Sequence, residues 1–262
     1  MSKYIFLTFF LSLKIYGSAV DGISLENWKE FSHKLRQDKS LVMYFTFEKE
    51  TDALVLKNKA HGKNASMFDA KLKEPIWIPG RWKGKTAISL DAVPVVVAPY
   101  NIENKQFTFE MWFRKNGCGA KRGNNNSKSG TLAGQSGYNS GWRITTKCDL
   151  ENKPVRFSIG GKDVRFSVES TNIKDFIWHH LAVTWNGKVV RIYVDGELSQ
   201  SKKFDGDYTP VSGEKGWEKF KIGGYTGLGL GSVKLDVGEL AIFNRALSAK
   251  EIEKHRYMIC SD

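Results

Sequence analysis

Apolar positions along the chain follow two rhythms. Between Ser24 and Asp38 (SLENWKEFSHKLRQD) they recur at helical spacing, as Leu25, Trp28, Phe31 and Leu35. The stripe predicts one short amphipathic helix packed on the main domain, with a membrane-surface or partner helix as the alternative. Ser24 stands at the N-cap position, and Glu26 puts negative charge in the first turn, where the helix dipole favours it. Asn27 occupies the place where a capping box would have Glu or Gln, so an incomplete box is expected.

From Leu41 onward the period is two. Met43 to Phe47 opens a series of short strands. Phe107, Phe109, Met111 and Phe113 alternate with Thr108, Glu110, Trp112 and Arg114, which gives one apolar and one mixed face. Val155–Ile159 and Val164–Val168 pair across Gly160-Gly161. His180–Trp185 and Lys188–Val194 flank Asn186-Gly187, a dipeptide suited to a type I′ turn, and Asp195-Gly196 makes the next turn. Gly134-Gln-Ser-Gly137 and Gly223-Gly224-Tyr-Thr-Gly227 lack a following helix and a phosphate-loop lysine, and read as turns. Ser248 to His255 returns to a helical pattern. Short strands with regular turn signals imply an all-β sandwich or barrel.

The first nineteen residues add an address. Lys3 precedes the apolar run Tyr4 to Leu13, and Gly17 and Ala19 are the small residues of a cleavage site. The expectation is a signal peptide over 1–19, with a buried strand or retained anchor as the alternatives. The run is shorter than the ~20 residues a span needs. A helical segment over 20–40 and one domain over 41–262 follow, secreted or periplasmic. Three cysteines suit an oxidising compartment. Cys118 and Cys148 flank one polar loop and form the natural pair; a bond from either to Cys260 stays open.

At Trp178-His-His-Leu-Ala-Val-Thr-Trp185, Val190-Arg-Ile-Tyr-Val-Asp-Gly-Glu-Leu198, Gly238-Glu-Leu-Ala-Ile-Phe-Asn-Arg-Ala-Leu-Ser248 and Phe107-Thr-Phe-Glu-Met-Trp112, the sequence resembles the laminin-G-like, concanavalin-A-like jelly-roll family. Tyr44 to Met67 is similar to that family's opening strand and turn. The resemblance spans about residues 41–257 and implies a two-sheet antiparallel jelly-roll sandwich with short helices near both ends. It also implies an oxygen-ligated Ca²⁺ where the opening and closing strands meet, at Glu48, Asn64 and Glu239. Lys49 and Gly238 stand where the family often has acids, which weakens such a site.

No catalytic constellation is evident. Asp236 and Glu239 have unlike parity, so a regular strand sends them to opposite faces, and Asp205 and Asp207 lie in a loop pattern. His179 and His180 are adjacent and point apart in a strand. Binding is the better expectation. Aromatic platforms among glycines suit sugar rings, with Tyr138, Trp142, Trp217 and Tyr225 as candidates and core packing or loop anchoring as the alternative for each. Charge then enters: 40 Lys+Arg against 28 Asp+Glu leave a formal +12. Lys115, Lys121, Arg122, Lys128, Arg143 and Lys147 form one basic cluster, and Lys71, Lys73, Arg81, Lys83 and Lys85 another. Such a surplus favours an anionic extracellular glycan, with Lys121, Arg122 and Arg143 as contacts. Nucleic acid is the weaker partner, since no base-reading module is visible. A protein-interaction domain and a divergent polysaccharide-cleaving enzyme are the other two readings.

Overall fold

The computed structural model describes residues 24–258 except 63, 92, 104, 120–128, 138, 149–151, 162–163, 213–217 and 225–231. The expected signal peptide, Tyr138, Trp217, Tyr225, Lys121, Arg122, Lys128 and Cys260 therefore lie outside the described residues.

Strands are numbered in chain order. The first sheet runs β14 (Glu197–Lys203), β13 (Val189–Val194), β12 (Trp178–Trp185), β7 (Phe107–Cys118), β16 (Val233–Phe243), β5 (Thr86–Leu90), β4 (Ile76–Pro79). β1 (Leu41–Phe45) also pairs with β16. The second sheet runs β11 (Val164–Asn172), β10 (Pro154–Gly161), β9 (Gly141–Lys147), β8 (Ser129–Ser136), β15 (Phe220–Ile222), β6 (Val95–Val97), β3 (Ala70–Lys71), β2 (Val55–Leu56). Every ladder is antiparallel, and the two sheets make the expected jelly-roll sandwich. Alternation explains the core: Phe107, Phe109 and Phe113 from β7 meet Trp142, Phe157 and Phe220 from the opposite sheet, all fully buried.

Helix α1 (Leu25–Leu35) lies on the outer face of the first sheet, with α2 (Ala249–Tyr257) beside it. Trp28, Phe31 and Leu35 pack there with Tyr44, Trp112, Tyr193, Phe243 and Ile252. The capping box that the sequence leaves incomplete is in fact closed. Ser24 Oγ accepts from the Asn27 amide, and the Asn27 side-chain oxygen accepts from the Ser24 amide, so Asn does the work of Gln.

Three turns differ from expectation. Asn186 keeps an ordinary φ while Gly187 is at +82°, and the Asn186 side chain caps the turn by accepting from the Lys188 and Val189 amides. The type I′ pattern of two positive φ angles occurs instead at Asp195-Gly196, at 54° and 87°. Gly134 to Ser136 belong to β8, not to a turn, and Gly160-Gly161 belong to β10, paired with Arg165 and Val164. Cys118 and Cys148 are joined by a disulfide, as expected.

Candidate binding site

The outer face of the first sheet carries buried polar groups among the apolar side chains beneath its helices. Parity sends Glu110, Trp112 and Arg114 of β7 outward. On β16 a bulge between Val237 and Glu239 shifts the register, so Asp236 faces Arg114 while Glu239 faces Trp112. The bulge thus overturns the parity expectation and puts both acids on one side of the sheet. Each is committed. Asp236 accepts from Arg114 Nε and Asn116 Nδ2, both at 2.8 Å. Glu239 accepts from Arg81 and from the Trp28 indole of α1. Glu110 is bonded by His255 Nδ1 at 2.8 Å, with His180 Nε2 3.8 Å away.

The electrostatics follow from burial. Arg81 lies under the helices with its guanidinium 3.6 Å from the Trp112 ring centre. Desolvation lowers its pKa to about 10 against the pull of Glu239. Desolvation takes His180 down to about 4, with Glu110 opposing. In His255 burial alone would lower the pKa, but the Glu110 carboxylate outweighs it and the net direction is up. The cavity among Tyr44, Glu110, His180, Glu239 and His255 measures about 30 Å³. Small-molecule sites are roughly ten times larger. Glu110 was visible in the sequence only as an outward-facing acid on a strand, and its histidine partners come from 70 or more positions away.

Two of the three residues to which the resemblance assigns calcium have other surroundings. Asn64 is exposed at the start of a 3₁₀ turn, and the Glu239 carboxylate is occupied by two donors. Between the two strands sits the Lys85 ammonium, bonded to the carbonyl oxygens of Thr46 (2.5 Å), Gly238 (3.1 Å) and Thr86 (3.3 Å). Among the described residues no group of three or more His, Cys, Asp or Glu could hold a metal.

Several expected contacts are corrected by burial. Trp142 is 0% exposed and packs against Phe107, Phe109 and Phe220, because β9 alternation turns it inward; its ring is core, not a sugar platform. Arg81 and Lys85 are buried, not part of a surface basic stretch. Lys115 is also fully buried, with its ammonium 2.8 Å from Asp175.

The same alternation that buries Trp142 turns Arg143 outward. A cross-strand line on the outer face of the second sheet reads Lys71, Val96, Lys221, Gly134, Arg143, Ser158, Ser167. Seven strands at the usual spacing make it roughly 29 Å long. Arg156 and Arg165 stand on the same face beside it. Burial and repulsion from Arg156 lower the Arg143 pKa, and burial with repulsion from Arg143 brings Arg165 to about 10. Arg156 is paired with Glu169, and Arg165 donates to the carbonyls of Gly137 and Ser140. Of the seven predicted ligand contacts, Arg143 is the one the structure describes on an outer face.

A laminin G family model described as the concanavalin A-like lectin/glucanases superfamily matches residues 89–253. The chain belongs to this superfamily. Solved structures of similar fold include clostridial toxin domains. The binding domain of Paraclostridial Mosquitocidal Protein 1 has a TM-score of 0.60 at 16% identity, covering 83% of this chain and 52% of that one. Botulinum neurotoxin type C, whose cell entry depends on two ganglioside molecules, has 0.54 at 15%, covering 89% and 53%. The binding domain of botulinum neurotoxin DC in complex with SialylT has 0.55 at 15%, covering 84% and 51%. The present chain spans about half the length of those chains. Comparison with curated proteins finds no match. Among the described residues no helix is long and apolar enough to cross a membrane.

Proposed function

We propose that this chain is an exported, non-catalytic binding domain that holds an anionic extracellular glycan on the outer face of its second sheet. The observation that carries the reading is the cluster of Arg143, Arg156 and Arg165 on three adjacent strands, where burial with repulsion from Arg156 lowers the Arg143 pKa and burial with repulsion from Arg143 lowers that of Arg165. Like charges held together on a sheet cost free energy that a bound polyanion offsets. Lys221 and Lys71 extend the row across the same face. Serine hydroxyls at 158 and 167, 2.9 Å apart, supply neutral polar groups between the cations. The ganglioside dependence and the SialylT complex of the toxin neighbours support saccharide as the ligand class for this fold. The outer face of the first sheet is the poorer candidate, because α1 and α2 cover it.

The test is retention of the mature protein on sulfated, uronic and neutral polysaccharides at low and physiological salt, with reducing ends measured in the same wells. The expected result is salt-sensitive binding to the acidic chains without product, reduced at least tenfold in R143Q/R156Q/R165Q. Salt-independent binding, or binding indifferent to the triple substitution, refutes the site. Release of reducing ends refutes the non-catalytic reading.

A further inference from the structure

β16 offers one edge to two partners. Its C-terminal half pairs with β1, from Leu41↔Phe243 to Phe45↔Leu240, and its N-terminal half with β5, from Val237↔Ile88 to Leu235↔Leu90. The handover falls at Gly238, the bulge residue. There the ladder is interrupted, and carbonyls that a neighbouring strand would have satisfied converge from three segments. Those of Thr46, Gly238 and Thr86 all point at one atom, the Lys85 ammonium, in a residue 3% exposed.

The surroundings are those of a cation site. The Trp28 ring of α1 lies 4.5 Å from the ammonium and presents its negative face. Burial, with repulsion from Arg81, lowers the Lys85 pKa to about 8 against the pull of Glu239 and Glu48, which still leaves it mostly charged at neutral pH. The loop that delivers Lys85 also delivers Arg81 to Glu239, and a positive φ of 90° at Gly84 lets it double back. The usual difficulty with a buried lysine is an ammonium without acceptors; here each of its three donors has a carbonyl.

We infer that Lys85 is the resident cation of this domain, a tethered ammonium that gathers the carbonyls of the β1–β16–β5 joint in place of an inorganic ion. The domain therefore needs no divalent metal to join its opening and closing strands. Removing the ammonium should leave a space lined by carbonyl oxygens near two carboxylates, a donor set that suits a hard cation such as Ca²⁺. This inference is independent of the glycan reading, since it concerns the joint beneath α1 and not the second sheet.

The experiment compares wild type with Lys85→Ala by thermal melting, each with chelator, with added Ca²⁺ and with ethylammonium chloride. Tb³⁺ emission sensitised through Trp28 reports occupancy directly. Wild type should melt at the same temperature in all three conditions and give no sensitised emission. K85A should melt roughly 6–12 °C lower, as expected for three carbonyls stripped of donors in a domain of this size. It should recover at least a third of that loss with Ca²⁺ or ethylammonium, and it should bind Tb³⁺. If K85A does not fold alone, recovery of folded protein on refolding with either cation is the same readout. A chelator-induced drop in wild type overturns the inference, as does a K85A variant of wild-type stability. So does a K85A variant that no cation restores.

Discussion

His180 lets the packing under the helices be tested by acid. Its ring is 2% exposed, 5.2 Å from the Trp112 ring centre, on the sheet face that α1 and α2 cover. Burial holds its pKa near 4, against 6.5 in an unfolded chain. Between those values the unfolded state binds a proton that the folded state refuses, so stability falls as pH falls from 6.5 toward 4. At about 1.4 kcal/mol per pH unit the gap makes a loss of about 3 kcal/mol. His255 acts in the other direction. Its pKa is raised, so its contribution is fully present below 6.5 and is lost as pH rises through the folded value. The two histidines share Glu110 yet titrate on opposite sides of 6.5, and acid isolates His180. Urea unfolding followed by tryptophan fluorescence, at steps from pH 7 to 4, should show wild type losing about 3 kcal/mol more than H180Q. Parallel pH curves for the two proteins would refute a neutral, water-excluded His180.

Two further outcomes follow from the core and the crosslink. Trp142→Ala should cost about 3–5 kcal/mol, since the ring fills the space between Phe107 and Phe220, while glycan affinity per folded molecule stays unchanged. Chemical denaturation and a binding isotherm on the same sample check both halves, and lost affinity in folded protein would return Trp142 to the ligand. Replacing Cys118 and Cys148 by serine should lower stability by about 3–4 kcal/mol, as loop-closure entropy is restored to the unfolded chain. Denaturation of the variant beside wild type measures it directly.

The fold was legible because its signals are local. The stripe of α1, the alternation of β7 and the order of the strand motifs each need only a few neighbouring residues. The candidate site was legible in part. Charge marks Arg143 and ring chemistry marks the adjacent Trp142, though two neighbours on a regular strand cannot both face outward. Reading β9 for parity would have separated them. Lys85 and Arg81 read as surface charge because nothing nearby in the sequence marks them for burial. Their partners, Gly238 and Glu239, lie 153 and 158 positions away. The Asp236–Glu239 relation failed for a different reason: parity assumes a regular strand, and Gly238 breaks the count with a bulge.

The pairing of β1 with β16 also governs when the molecule can come into being. The Trp28 indole reaches across 211 positions to Glu239, and the first strand of the sandwich finds its edge only on the last. During synthesis at about 5–20 residues per second, the early segments must wait at least ten seconds for that partner to be made. Until then β1 lacks the strand it pairs with. A chain that cannot close before its final strand emerges stays open for as long as that strand is missing.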